Sequence, residues 1–248
     1  MSDATRTYIY ALIRPGDAIV DSVGHDGAPV RTTRRDGIAA VVSTVAAESF
    51  DPATADTRMH DLAWLESTAR THDAVVSAAA EVATTIPLRL GTTADDDQSV
   101  YELLGKLGAA ALRSFDRLDR HVEFGVQVFA RPARSSPAPG SETGAAFLRR
   151  RQAELQQDET QRVEQAARAQ GTFDALRALA TAAKQNPLRA AADTEERSPM
   201  LLNAAFLVDV DTVTVFRKAV DELAASMAPD RVVITGPWAP YSFAELEL

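Results

Sequence analysis

The sequence predicts an α+β protein of two small domains, residues 1–121 and 122–248. Short apolar or alternating runs, typical of strands, are interleaved with stretches of helical periodicity in both halves of the chain. The 248 residues suffice for two ordinary domains, and the hydrophobic share of 46% suffices for a core in each.

The N-terminal half opens with two predicted strands. Tyr8–Ile13 is aromatic and β-branched, and Ile38–Ser43 is apolar on both faces, as expected for a strand in the centre of a sheet. Residues 18–34, between them, contain turn-forming glycines and predict a short hairpin or an irregular strand.

Two helices follow in this half. The first is predicted by an apolar stripe with alternating steps of three and four: Leu62, Leu65, Ala69, His72, Val76, Ala79 and Ala83. It ends before Pro87, and residues 86–92 are predicted to be extended. The second helix is capped by the acidic run at residues 95–97 and continues to about Leu118.

The C-terminal half begins with an alternating strand over residues 122–129. Residues 132–143 are rich in Pro, Ser and Gly and predict a loop or linker. A helical hairpin is then predicted over residues 144–186, with a polar first helix that ends at Gly171. Because the apolar stripe of this first helix is thin, we expect it to be largely solvated.

The chain closes with a strand over residues 201–210, a helix over residues 216–227 and a strand over residues 232–234. The motif Gly-Pro-Trp-Ala-Pro-Tyr-Ser-Phe at residues 236–243 follows. We expect it to leave the sheet as a stiff extended segment, because each proline lacks an N–H and restricts the residue before it. We expect Trp238 and Tyr241 to pack mainly on the C-terminal domain.

Charge and composition exclude several classes of function. The net charge of −9 and the sequence pI near 5.0 argue against non-specific nucleic-acid binding, which needs a basic surface. The chain has no cysteine, so it has no disulfide framework and no thiolate metal site. The sequence shows neither a signal peptide nor a membrane span, and a cytoplasmic location is expected.

No catalytic, cofactor-binding or metal-binding constellation can be assembled from the motifs. The histidines lack metal-ligand spacing, and no serine stands in a nucleophile elbow. His72, on the apolar stripe of the long helix, is predicted to be a core histidine bonded to the backbone or to a neighbour. Arg89 either points to solvent from a strand or is held at a domain or partner interface.

Several stretches, in the same order along nearly the whole chain, resemble the gas-vesicle proteins of the GvpF/GvpL family. They include Tyr8–Ala11, Ile86–Thr92, Leu202–Val208 and, most specifically, Gly236–Phe243. The resemblance implies a modified ferredoxin-like N-terminal domain and a C-terminal α+β domain, joined through a helical segment. It brings no catalytic residue.

The resemblance also implies an accessory or minor structural protein of the gas vesicle, which binds the small hydrophobic shell protein and works with other accessory proteins. A protein that covers the apolar surface of another needs contact area of its own. We therefore expect this chain to bind its partner through Arg89, Trp238, Tyr241 and Phe243.

Two other functions stay open at this point. The chain could be a small-molecule-binding regulator or enzyme with a cleft between two α+β domains, anchored by Arg89 and His72. It could also be a scaffold whose polar helix at residues 144–169 pairs with another protein.

Overall fold

The computed structural model describes residues 4–16, 20–50, 61–131, 144–190, 198–228 and 230–246. The predicted linker at residues 132–143 lies outside these ranges. Two compact units are present: residues up to Glu123 with those from Pro237 onward, and Phe124–Gly236. The predicted division into two α+β parts therefore appears, but the last residues of the chain belong to the first unit. None of the helices among the described residues is long and apolar enough to cross a membrane.

The first unit is built on a sheet with strand order β2-β3-β1-β4, in which β5 also pairs with β1. Its strands are β1 (Thr5–Ile13), β2 (Arg31–Arg35), β3 (Ile38–Ala46), β4 (Thr85–Pro87) and β5 (Thr93–Ala94). The partners of β1 all run antiparallel to it, and its register with β3 skips at Tyr10. The two predicted strands are confirmed, and both are buried over their apolar runs.

Two helices pack on this sheet, as predicted. Helix α1 (Leu62–Val82) begins at Asp61, whose carboxylate accepts the backbone N–H groups of Ala63 and Trp64, and it packs on β1 and β4. Helix α2 (Asp97–Leu118) begins at Asp96, whose carboxylate accepts the N–H of Ser99. Within residues 18–34, predicted as a short hairpin or an irregular strand, an isolated antiparallel bridge between Val23 and Pro29 brackets a 3-10 turn (His25–Gly27), and β2 follows.

The second unit contains a sheet of order β7-β8-β6-β9. Its strands are β6 (His121–Phe129), β7 (Ala182–Gln185), β8 (Met200–Asp209) and β9 (Arg231–Trp238), and β6 and β9 each cross the boundary between the units. The helices are α3 (Gly144–Arg177) and α4 (Val213–Ser226). The core joins both, since the rings of Phe173 and Phe216 lie 5.7 Å and 5.4 Å from that of Phe206.

The predicted helical hairpin at residues 144–186 is wrong. Helix α3 continues through Gly171 to Arg177, and residues 182–185 form β7, which pairs antiparallel with β8. A glycine inside a helix costs about 1 kcal/mol, and burying Phe173 and Leu176 on the second unit's core offsets that cost. The expected solvation of the polar part is confirmed, because Leu148, Leu155 and Val163 are all exposed.

The predicted end of the last strand is also wrong, because β9 continues through Pro237 to Trp238. Strand β9 lies at the edge of its sheet, where a residue without an N–H is tolerated. Chain reversal follows at a 3-10 turn, Tyr241–Phe243.

Candidate interaction surface

The end of the chain is fixed to the first unit by a short segment, Tyr241–Phe243, which we call the anchor. The Phe243 side chain is 6% exposed, and its carbonyl accepts a hydrogen bond from Arg117 Nη2 at 2.9 Å. The expectation that Trp238 and Tyr241 pack mainly on the C-terminal domain is wrong, because both residues belong to the first unit, as does the rest of the anchor. Its contacts are with residues more than a hundred positions earlier in the chain, which local sequence patterns do not reveal.

The strongest of these contacts is made by Glu123, on β6. Its Oε2 accepts the Ser242 N–H at 2.7 Å, and its Oε1 accepts the Ser242 hydroxyl at 2.6 Å. A buried carboxylate with two short charge-assisted hydrogen bonds holds its partner firmly. Sequence reasoning missed Glu123, since its place in an alternating strand predicts a solvent-facing side chain.

Tyr241 connects the anchor with helix α1. Its ring centroid lies 6.3 Å from that of His72, and 38% of the side chain stays exposed. Burial raises the pKa of the Tyr241 phenol, and the negative charge of Asp73 raises it further. The hydroxyl is therefore neutral at any physiological pH.

Beneath Tyr241, a chain of hydrogen bonds crosses the core of the first unit. His72 Nε2 lies 3.1 Å from the Leu88 carbonyl, so this nitrogen carries the proton, and Nδ1 accepts from the Tyr8 hydroxyl at 2.9 Å. Tyr8 in turn accepts the N–H of Gly91, whose φ of +83° suits a residue without a side chain. The predicted core role of His72 is confirmed: it is 3% exposed and both ring nitrogens are bonded.

A second histidine, which sequence reasoning did not single out, shares this core. His25 is 6% exposed, and its ring lies 4.4 Å from that of Tyr8 and stacks at 5.4 Å on that of Tyr10. Burial lowers the pKa of His25 to about 4, with a further lowering from His72 and an opposing effect of Asp26. Among the described residues, its Nε2 has no hydrogen-bond partner.

The residues just before the anchor have a different environment. Pro237 and Trp238, which we call the wall, line a groove of about 300 Å³ whose described lining belongs entirely to the first unit. The Trp238 side chain is 47% exposed. An indole ring left half in water at the side of a groove is typical of a contact residue.

Arg89 lies in the turn between β4 and β5. Its side chain is exposed and makes no hydrogen bond or ion pair with the described residues, while its carbonyl accepts from the N–H and hydroxyl of Thr92. Arg89 and His72 do not converge on a cleft, because the surroundings of His72 are filled. This geometry counts against the small-molecule site that those two residues were expected to anchor.

The four predicted contact residues are therefore distributed over three environments. Phe243 is buried, Trp238 and Tyr241 are partly exposed, and Arg89 is exposed on a separate turn. Among the described residues, no group of three His, Asp or Glu side chains is placed to hold a metal ion.

Comparisons with known proteins agree on one family. The family model described as "Gas vesicle synthesis protein GvpL/GvpF" matches residues 6–245. Gas vesicle protein L of Streptomyces sp. (strain CB03234) is 38% identical, and the match covers 98% of this chain and 94% of that protein.

Two crystal structures share the fold. GvpF from Anabaena sp. PCC7120 is 21% identical with a TM-score of 0.67, and the match covers 98% of each chain. GvpF from Microcystis aeruginosa is 20% identical with a TM-score of 0.66, covering 97% of this chain and 99% of that one.

Proposed function

The chain belongs to the gas vesicle GvpL/GvpF family and takes part in gas vesicle formation, and we propose that it does so as an accessory assembly protein that binds the hydrophobic shell protein. The observation that carries this proposal is the wall: a half-exposed tryptophan beside a groove, on a segment that the anchor holds in place. A protein that covers apolar surface needs rigid contact area of this kind.

The proposed role is non-enzymatic. The polar groups that an enzyme would need in a cleft, above all His72 and Tyr8, are buried and bonded to each other and to the backbone. The charge of −9 disfavours nucleic acid as a partner. We place the protein in the cytoplasm at the gas vesicle, with the shell protein and other accessory proteins as its partners.

Within this proposal, Trp238 and Tyr241 contact the partner, Phe243 positions them, and Arg89 adds a separate charged contact. Tyr241 has both roles, because its ring packs near His72 while more than a third of its surface stays in water. Arg89 is suited to a carboxylate of the partner, since its guanidinium has no partner within the described chain.

The test is co-expression of the tagged protein with the shell protein, followed by pull-down. We expect capture by the wild-type chain and loss of capture by Trp238→Ala, provided that circular dichroism shows the variant to be folded. The double variant Leu148→Ser/Leu155→Ser on α3 is the matched control, because it changes exposed apolar residues of the alternative scaffold surface.

Capture that survives Trp238→Ala but is lost in the α3 variant would transfer the binding role to the long helix. No interaction with the shell protein or any other gas vesicle component, with both proteins folded, would contradict the proposal as a whole.

A further inference from the structure

We propose that the groove beside Trp238 binds a lysine or arginine side chain of the partner protein. This inference rests on the proposed function and adds the chemistry of the contact. Three properties of the groove support it: its apolar lining, the Glu81 carboxylate, which has no partner among the described residues, and the half-exposed indole of Trp238.

The apolar lining of the groove suits a long aliphatic stem. The apolar part of the lining includes Ala80 of α1, Leu118 at the end of α2, and Val122. The volume of about 300 Å³ equals that of about ten molecules of liquid water. Lysine and arginine place their methylene groups on such apolar surface while the charged head reaches a polar site.

The charge of the lining selects a cation. Glu81 lines the groove, is exposed, and makes no hydrogen bond or ion pair with the described residues, and no lysine or arginine is among the lining residues. His121, also in the lining, donates from Nδ1 to the Asp119 carbonyl at 2.6 Å. An anion would be repelled by Glu81, and a purely apolar occupant would desolvate that carboxylate without pairing it.

Trp238 supplies the third property. Indole is the aromatic ring that binds cations best through its face, and this one is 47% exposed at the groove. A basic side chain therefore matches all three features: Leu118 suits its aliphatic stem, Glu81 its charge, and Trp238 its cationic head group.

The experiment uses the full chain and two small probes with the same four-carbon stem, N-acetyl-lysine methylamide and N-acetyl-norleucine methylamide. Dissociation constants come from NMR titrations that follow the backbone amides of Ala80 and Val122. We expect the lysine probe to bind about five- to tenfold more tightly, the combined effect of a cation–π contact and an exposed ion pair. Equal affinities, or shifts that saturate with neither probe, would overturn the proposal.

Variants assign the preference to named groups. Glu81→Gln removes the charge at constant shape. It is expected to reduce the preference for the lysine probe over the norleucine probe to about twofold, which is the contribution expected from the indole. Glu102→Gln, the same change at an exposed position on α2 outside the groove, is expected to leave it unchanged. A preference that is the same in Glu81→Gln as in Glu102→Gln would refute the role of Glu81.

A parallel pull-down with the shell protein separates this inference from the proposed function. If the Glu81→Lys variant still captures the shell protein, and the wild-type chain binds the lysine probe no more tightly than the norleucine probe, the inference fails and the proposed function stands. If the probe binds as expected but the shell protein is captured by no variant and not by the wild type, the groove chemistry stands and the proposed function fails.

Discussion

The wall and the anchor are neighbours in sequence but differ in what surrounds them. Trp238 is 47% exposed at a groove, while Phe243 is 6% exposed and Ser242 is bonded twice to a buried carboxylate. The aromatic motif therefore has two parts. One part fixes the end of the chain on the first unit, and the other uses that rigidity to present an indole ring.

This difference separates stability from binding within one motif. Changes in the anchor are expected to unfold or release the segment, and any effect on binding follows from that. Changes in the wall are expected to reduce binding in a protein that stays folded. Substitutions and changes of pH test this division, from the largest expected change in stability to the smallest.

Phe243→Ala is expected to have the largest effect. Truncating a buried phenylalanine costs about 3–5 kcal/mol through lost burial and the cavity that remains. Trp238→Ala, at a half-exposed site, is expected to cost about 2 kcal/mol or less in the free energy of unfolding. Urea denaturation of both variants measures the difference, and equal losses would erase the distinction between anchor and wall.

Acid is expected to weaken the core on which the anchor packs. The pKa of His25 is lowered to about 4 and that of His72 is also lowered, both mainly by burial, so the unfolded chain binds protons more readily than the folded one. The stabilising effect of the neutral rings is therefore present above about pH 6.5, the unfolded pKa, and is lost as the pH falls toward 4. For His25 alone the loss reaches up to about 3 kcal/mol.

The control is His25→Phe, which keeps an aromatic ring against Tyr8 and Tyr10 but cannot be protonated. Free energies of unfolding at pH 7.5, 6.5, 5.5 and 4.5 should fall less steeply in this variant than in the wild type. Parallel pH profiles of the two proteins would show that His25 does not govern acid sensitivity.

Glu123→Gln is expected to cost about 2 kcal/mol. The amide is uncharged, and its NH₂ group cannot accept from Ser242, so one of the two charge-assisted bonds is lost. Thermal unfolding beside the exposed Glu102→Gln, which should be within about 0.5 kcal/mol of the wild type, isolates the contact. A melting temperature unchanged from that of the control would mean that Ser242 is held by other groups.

Leu155→Ala on α3 is expected to have the smallest effect, below about 0.5 kcal/mol, because the side chain is 54% exposed and helix propensity slightly favours alanine. Phe173→Ala on the same helix, at a buried position, should cost about 3 kcal/mol or more. Similar losses in the free energy of unfolding of both variants would show that the polar part of α3 is packed rather than solvated.

Much of this structure follows from local patterns in the sequence. The alternation and apolar runs of β1, β3, β6 and β8, and the stripes of α1 and α2, are confirmed within a few residues at each end. The core role of His72 followed from its place on the apolar stripe of α1.

The errors have a common physical cause. The hairpin prediction treated Gly171 as a helix end, although packing of Phe173 and Leu176 outweighs the small cost of one glycine. Pro237 was taken to end a strand, although an edge strand tolerates it. In both cases tertiary context overrides a local preference.

The candidate surface was predictable only in part. The motif at residues 236–243 identified the segment, but its contact with Glu123 joins positions 119 residues apart and has no local signature. The groove lining likewise comes from three separate stretches of the chain, so neither Glu81 nor Leu118 could be assigned to it in advance.

The most direct test of the central claim measures shell-protein capture by Trp238→Ala at a temperature where circular dichroism shows the variant to be folded. The account predicts that capture is lost while the far-UV spectrum and a cooperative melt are retained. Undiminished capture by the folded variant would contradict the claim that the anchored segment works through its exposed indole.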